Sequence, residues 1–137
     1  MEEKYKGPER RESVRLEQDI PAEYNFINEI KSVALSHKRS GTIRNISSKG
    51  VRLEINELDA SLMEGLYSGL IKLGILINLP GEERPLKAIA KVAWLTKAFE
   101  NSDTGSAKYI LGLEFLDISA ADTDAIVKYI LNEYLGE

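Results

Sequence analysis

The residues of this chain with the clearest chemistry are three arginines near its start, in the run Arg10-Arg11-Glu12-Ser13-Val14-Arg15. Guanidinium groups so close together repel one another, and a small domain does not need them in order to fold. They suit an anion. Arginine offers a planar fork of donors that matches phosphate oxygens and the acceptor edge of guanine, and its flat face stacks on a base. A phosphorylated purine is therefore the ligand class to consider first. A second group follows in Asn45-Ile46-Ser47-Ser48-Lys49-Gly50, where a side-chain amide and a hydroxyl stand two residues apart and a glycine closes the run. On a strand, a period of two puts Asn45 and Ser47 on one face, as a joint ligand contact requires. Gly50 marks a turn that needs φ > 0 or a close backbone approach. Each group has a plainer reading by itself: the arginines as a solvated arm, the second run as an ordinary Asx-type turn.

Composition narrows the alternatives. A chain of 137 residues, 43% hydrophobic and 29% charged, amounts to one ordinary globular domain. It has no cysteine and one histidine, His37, which leaves no disulfide, no thiolate metal site and no companion for a catalytic imidazole. With no nucleophile–base set and no phosphate-binding loop of the Walker type, an enzyme is hard to assemble, so none is expected. The formal net charge of -4 argues against general binding to DNA, RNA or an anionic membrane, since those rest on an excess of lysine and arginine. No apolar run reaches the ~18 residues of a membrane span, and the charged start has no signal-peptide pattern. The expected location is the cytoplasm, with no membrane insertion.

The elements that must position these groups read as mostly β. Residues 1–9 are a polar arm, and residues 10–21 carry the arginines up to Pro21. From Ala22 a first strand is expected with Tyr24, Phe26 and Ile30 on one side. His37 to Gly41 reads as a turn, followed by a strand over 42–46. One conflict stands out there: Ile43 shares a face with Asn45, whereas Ile46 lies opposite, so either a bulge intervenes near Arg44 or Ile43 lies under the ligand surface. Val51, Leu53 and Ile55 alternate in a third strand. Leu58, Leu62 and Leu66 are spaced for a short helix ended by Gly69, with a loop as the alternative. Ile71 to Leu79 forms a fourth strand, and a fifth places Leu86, Ala88, Ala90, Val92 and Trp94 on one face, with Trp94 in the core. A sixth carries Tyr109, Leu111, Leu113 and Phe115 inward, with Gly112 and Glu114 among its outward positions. Six short antiparallel runs suggest a six-stranded β-barrel over 22–116, because closure removes unpaired edges. A C-terminal helix over 119–135, capped by Ser119, should pack Ile126, Val127, Ile130, Leu131 and Tyr134 on that barrel.

In this order and spacing, R-x-x-x-R and [DN]-x-S-x-x-G resemble the two signature motifs of the PilZ domain, the bacterial receptor module for cyclic di-GMP. Lys91-Val92-Ala93-Trp94 looks like that family's V-x-W strand, and Leu111 to Asp117 like its last strand. The resemblance covers residues 10–137 and implies a PilZ-like split barrel with a helix. It further implies that Arg11 and Arg15 bind phosphate and guanine, that Asn45 and Ser47 meet the ligand from the barrel, and that Gly50 shapes the turn. Arg10, just before the motif, goes in this family with an intercalated pair of ligand molecules, which its guanidinium helps to hold by stacking. Asparagine in place of the commoner aspartate keeps an acceptor but removes a charge. The implied function is a receptor with no cofactor that binds cyclic di-GMP, changes conformation and signals to a protein target that the sequence does not identify. The alternative is a PilZ-like adaptor without nucleotide binding, against which the intact motifs argue.

Overall fold

The computed structural model describes residues 16–28, 33–34, 38–101 and 106–135. Arg10, Arg11, Arg15, Ile30 and His37 lie outside them. The strands are β1 (Leu16–Asn28), β2 (Val33–Ala34), β3 (Arg39–Ile46), β4 (Gly50–Ile55), β5 (Ile71–Ile77), β6 (Leu86–Asn101) and β7 (Ser106–Ile118). They pair antiparallel in the order β2-β1-β3-β4-β7-β6-β5, and β5 returns to β1. The return runs from Ala22 opposite Ile77 to Asn28 opposite Ile71 and closes a six-stranded barrel, with the two-residue β2 added at the end of β1.

Alternation places the core. In β5 every odd residue from Ile71 to Ile77 is buried, and in β4 Val51, Leu53 and Ile55 point inward while Arg52 and Glu54 point out. Tyr24 and Phe26 meet edge to face in the same interior, with ring centroids 5.6 Å apart. A 3₁₀ turn over Ala60–Leu62 leads into α1 (Met63–Ser68), which ends at Gly69 with φ 87°, the left-handed cap that a glycine there supplies. Leu66 is fully buried, with Leu58 and Leu62 packed beside the core, as their spacing predicts.

Two strands begin earlier than local chemistry predicts. β1 starts at Leu16 rather than Ala22 and runs through Pro21, which pairs with Thr42. Strand backbone N and O point to the same edge, and the Pro21 carbonyl accepts from Asn78 N at 3.0 Å. The missing donor therefore falls where the β5 ladder has already ended at Ile77, a place that a proline tolerates. β3 starts at Arg39 because Arg39, Ser40 and Gly41 pair with Tyr24, Glu23 and Ala22, so cross-strand pairing overrides turn propensity.

The C-terminal helix α2 (Ala120–Tyr134) opens as the capping pattern predicts, the Ser119 hydroxyl accepting from Asp122 N at 3.0 Å. Its expected stripe is only half right. Ile126, Tyr129 and Ile130 are buried against the barrel, whereas Val127, Leu131 and Tyr134 are 38%, 49% and 61% exposed. The helix touches the barrel along one narrow line, and residues turned about 100° from it stay in water. No helix among the described residues is long and apolar enough to cross a membrane.

On the outside of β3 and β4, Arg44 Nη1 meets Glu54 Oε1 at 2.8 Å and Arg44 Nε meets Asp19 Oδ1 at 2.9 Å, while Lys108 Nζ reaches Glu54 Oε2 at 2.9 Å. The Lys108 hydrogen bond, with Arg44 beside it, holds the Glu54 carboxyl below its ordinary value against the opposing effect of burial. A depressed carboxyl contributes stability above its unfolded value and loses that contribution as pH falls through its folded one. Glu54→Gln is thus expected to lower stability by about 1 kcal/mol near neutral pH, with the difference from the parent protein vanishing in acid. Urea unfolding across that range would measure it.

Candidate functional site

The N-x-S-x-x-G run sits where β3 turns into β4. Opposite β4, Thr42 and Ile43 face Glu54 and Leu53, and Asn45 and Ile46 face Arg52 and Val51, so Arg44 is an extra residue in the ladder. Of the two alternatives that the conflict between Ile43 and Ile46 left open, this is the bulge near Arg44. It leaves Ile43 and Ile46 both fully buried and turns Asn45 to the outer face opposite Arg52. Arg44 projects outward from the bulge, anchored by Asp19 and Glu54.

Among the described residues, the buried polar side chains are Asn45, 7% exposed, and Ser47, 3% exposed. Their roles differ. The Ser47 hydroxyl accepts from Lys49 N at 3.1 Å and lies 3.4 Å from the Gly50 carbonyl, while Ser47 N donates to Gly50 O at 2.9 Å. Ser47 therefore shapes the turn in addition to any contact with a ligand. The Asn45 amide makes no side-chain hydrogen bond among the described residues. Gly50 is required for close approach and not for a left-handed φ: a Cβ there would overlap the Leu113 carbonyl oxygen.

The row that contains Asn45 continues across the barrel. Arg52 pairs with Gly112 on β7, and Gly112 pairs with Trp94 on β6. A second bulge, at Ala93, lies between the Val92–Leu113 and Trp94–Gly112 pairs and sends Trp94 outward, 42% exposed. This corrects the core placement that simple alternation predicts for Trp94. The indole lies on Gly112, where any Cβ would overlap it. The outer face thus carries, on adjacent strands, an amide, a guanidinium and an exposed indole over a glycine. Lys91 and Glu114, 3.6 Å apart, flank it in the next row beside Gly50. Arg52 escapes a reading by motif, and Trp94, although part of the V-x-W run, was expected in the core. The signal available for Trp94 was Gly112, a mid-strand glycine, which marks a place where another group approaches closely.

Such a surface suits a flat, polar ligand: the indole stacks, the amide and guanidinium hydrogen-bond, and the face has a positive side chain against acceptors. No cluster of side chains fit to hold a metal ion occurs among the described residues. A groove of about 600 Å³ lies elsewhere, over β1, β5 and β6 and the start of α2, lined by Asn25, Gly74, Lys87 and Asp122 among others. Neither the motif residues nor Arg52 nor Trp94 borders it, and its mixed charges select no particular ligand, so chemistry rather than concavity picks out the bulged face. The structure brings Asn45, Ser47 and Gly50 together; Arg10, Arg11 and Arg15 lie outside the described residues.

A closed six-stranded barrel with a C-terminal helix and this turn defines a class, and comparison with known proteins identifies it. The family model of the PilZ domain matches residues 9–132, and the chain belongs to that family. Among solved structures, the inhibitor of motility MotI/DgrA of Bacillus subtilis is similar at 22% identity over 93% of this chain and 53% of its own, with a TM-score of 0.65. The PilZ domain of YcgR from Escherichia coli, solved with cyclic di-GMP, is 13% identical over 93% of this chain and 98% of its own, with a TM-score of 0.58. The MrkH–cyclic di-GMP complex of K. pneumonia is 14% identical over 92% and 52%, with a TM-score of 0.64. The chain spans about half the length of the MotI/DgrA and MrkH chains, and at these identities the likeness is one of fold. No curated protein matches the chain.

The contact at Gly50 is directly testable. Gly50→Ala must push β4 away from the Leu113 carbonyl, and an overpacked backbone contact of this kind costs about 1–3 kcal/mol. A lowered thermal midpoint is the expected outcome, whereas Gly81→Ala, with open space around the Cβ, changes stability through its positive φ alone.

Proposed function

We propose that this PilZ domain is a receptor for cyclic di-GMP that couples ligand binding to a protein partner. The observation that carries the reading is the outward face on which the β3 bulge sets Asn45 beside Arg52, with the Trp94 indole two strands further on. Membership of the family supports it, as do similar structures solved with this nucleotide, YcgR and MrkH.

In this reading Asn45 accepts from or donates to a guanine, Ser47 and Gly50 hold the turn that presents it, and Trp94 offers a base a stacking surface. Arg11 and Arg15 close on the phosphates and on a guanine edge from the chain segment before β1, and Arg10 stacks on a second, intercalated ligand molecule. The segment needs no chemistry of its own beyond this. A ligand that touches both the arm and the barrel favours the state in which the two are joined, so binding shifts the population toward that state. The partner then distinguishes the two states by the surface that the arm covers or leaves. No bond is made or broken in this sequence of events, which fits a receptor rather than an enzyme.

Calorimetric titration of purified protein with cyclic di-GMP, with GTP and cyclic di-AMP as controls, tests the reading. Selective, saturable binding is expected, with more than one ligand per chain if Arg10 acts as assigned. A charge-assisted hydrogen bond contributes about 1.5–3 kcal/mol, so Arg11→Ala and Arg15→Ala should each weaken binding roughly ten- to hundredfold. Absence of binding heat at several temperatures would overturn the receptor reading. Unchanged affinity in Arg11→Ala would remove that residue from the site.

A further inference from the structure

Arg52 belongs to neither motif, yet it occupies the centre of the bulged face. Its position is set by two ladders, opposite Asn45 on β3 and opposite Gly112 on β7, with Trp94 lying on Gly112 one strand beyond. Its Nε is buried and has no hydrogen-bond partner among the described residues. Three cations near it on the outer face are differently placed: Arg44 and Lys108 are engaged by Asp19 and Glu54, and Lys91 by Glu114.

A guanidinium N–H removed from water without an acceptor is unfavourable, and native proteins seldom leave such a group without a purpose. Cross-strand pairing and the two bulges set the place of Arg52 on this face. Arg52 as a whole is only partly buried and its Nη groups are not shut off in the same way, so the ends of the fork are open to the acceptors of a ligand. Its chemistry follows from what lies on either side. The Asn45 amide presents a donor and an acceptor, and the indole presents a flat apolar face, a combination suited to a purine lying along the row. An arginine fork meets two acceptors side by side on guanine, O6 and N7, whereas adenine shows a donor, its N6 amino group, in place of one of them.

We propose that Arg52 is a specificity-determining residue that reads the guanine edge of the bound dinucleotide from the barrel side. The inference rests on the receptor reading above. It assigns Arg52 to the base and leaves the phosphates to the arginines of the arm.

Isothermal titration of the full chain and of Arg52→Met and Arg52→Lys with cyclic di-GMP and cyclic di-AMP tests it, with thermal unfolding of each variant alongside. A lost bidentate base contact should weaken cyclic di-GMP binding about tenfold or more and narrow the preference over cyclic di-AMP by a similar factor. Arg52→Lys keeps the stem and the charge but not the fork, and should narrow the preference too, which makes it the deciding variant should Arg52→Met unfold. Equal losses for both nucleotides would overturn the base assignment in favour of a phosphate contact. Parent-like affinity and preference in both variants, with the parent protein binding cyclic di-GMP, would overturn this inference alone. Failure of the parent protein to bind would overturn it together with the receptor reading.

Discussion

The bulge at Arg44 is the constraint on which the candidate site depends. Ile43 and Ile46 are both buried in the barrel, yet three positions apart they would fall on opposite faces of a regular strand. One extra residue between them reconciles the two demands, and the hydrophobic effect makes the bulge cheaper than leaving either isoleucine in water. The cost of the irregularity is met locally: Arg44, pushed outward, is held by Asp19 on one neighbouring strand and Glu54 on the other. Asn45 reaches the outer face as a consequence of this arrangement, not because an amide prefers to be there.

β6 solves a related problem with a different result. Its bulge at Ala93 separates Val92, packed against the core, from Trp94, which is turned out. An exposed indole is tolerated because Gly112 opposite lets it lie flat on the β7 backbone and shed part of its apolar surface. Two bulges and one glycine thus build an outer face with polar and aromatic groups on a barrel whose regular positions would have offered only alternating charged side chains. The barrel beneath is rigid in the sense that matters for recognition, since each of the strands concerned is paired on both sides along the row from Asn45 to Gly112.

The same logic explains which parts were legible in advance. Strands with clean alternation, such as Ile71 to Ile77, declare their buried face without help from neighbours, and Ser119 and Gly69 announce helix ends by side-chain and backbone chemistry that acts within a few residues. The conflict between Ile43 and Ile46 offered a bulge near Arg44 as one of two alternatives, and the pairing with β4 decided for it. Strand starts were harder. Pro21 and the Arg39-Ser40-Gly41 run look like breakers, and only their partners across the sheet, Thr42 for one and Tyr24 to Ala22 for the other, make them strand. In α2 the apolar stripe was visible but not its division between barrel and solvent, because the docking angle of a helix is a property of the surface it meets.

The sequence by itself determined the family, the barrel, the closing helix and the presence of an N-x-S-x-x-G turn, since periodicity, caps and short motifs are local information. Only the tertiary structure decided that Trp94 faces out, that Ser47 works within its own turn, and that Arg52 stands between an amide and an indole with its Nε unpaired among the described residues. The reason is that a bulge is settled by competition between two strands for the same ladder. Each strand's own pattern permits more than one register, and the pairing that buries the most apolar surface selects among them, carrying the polar residues to wherever that choice leaves them.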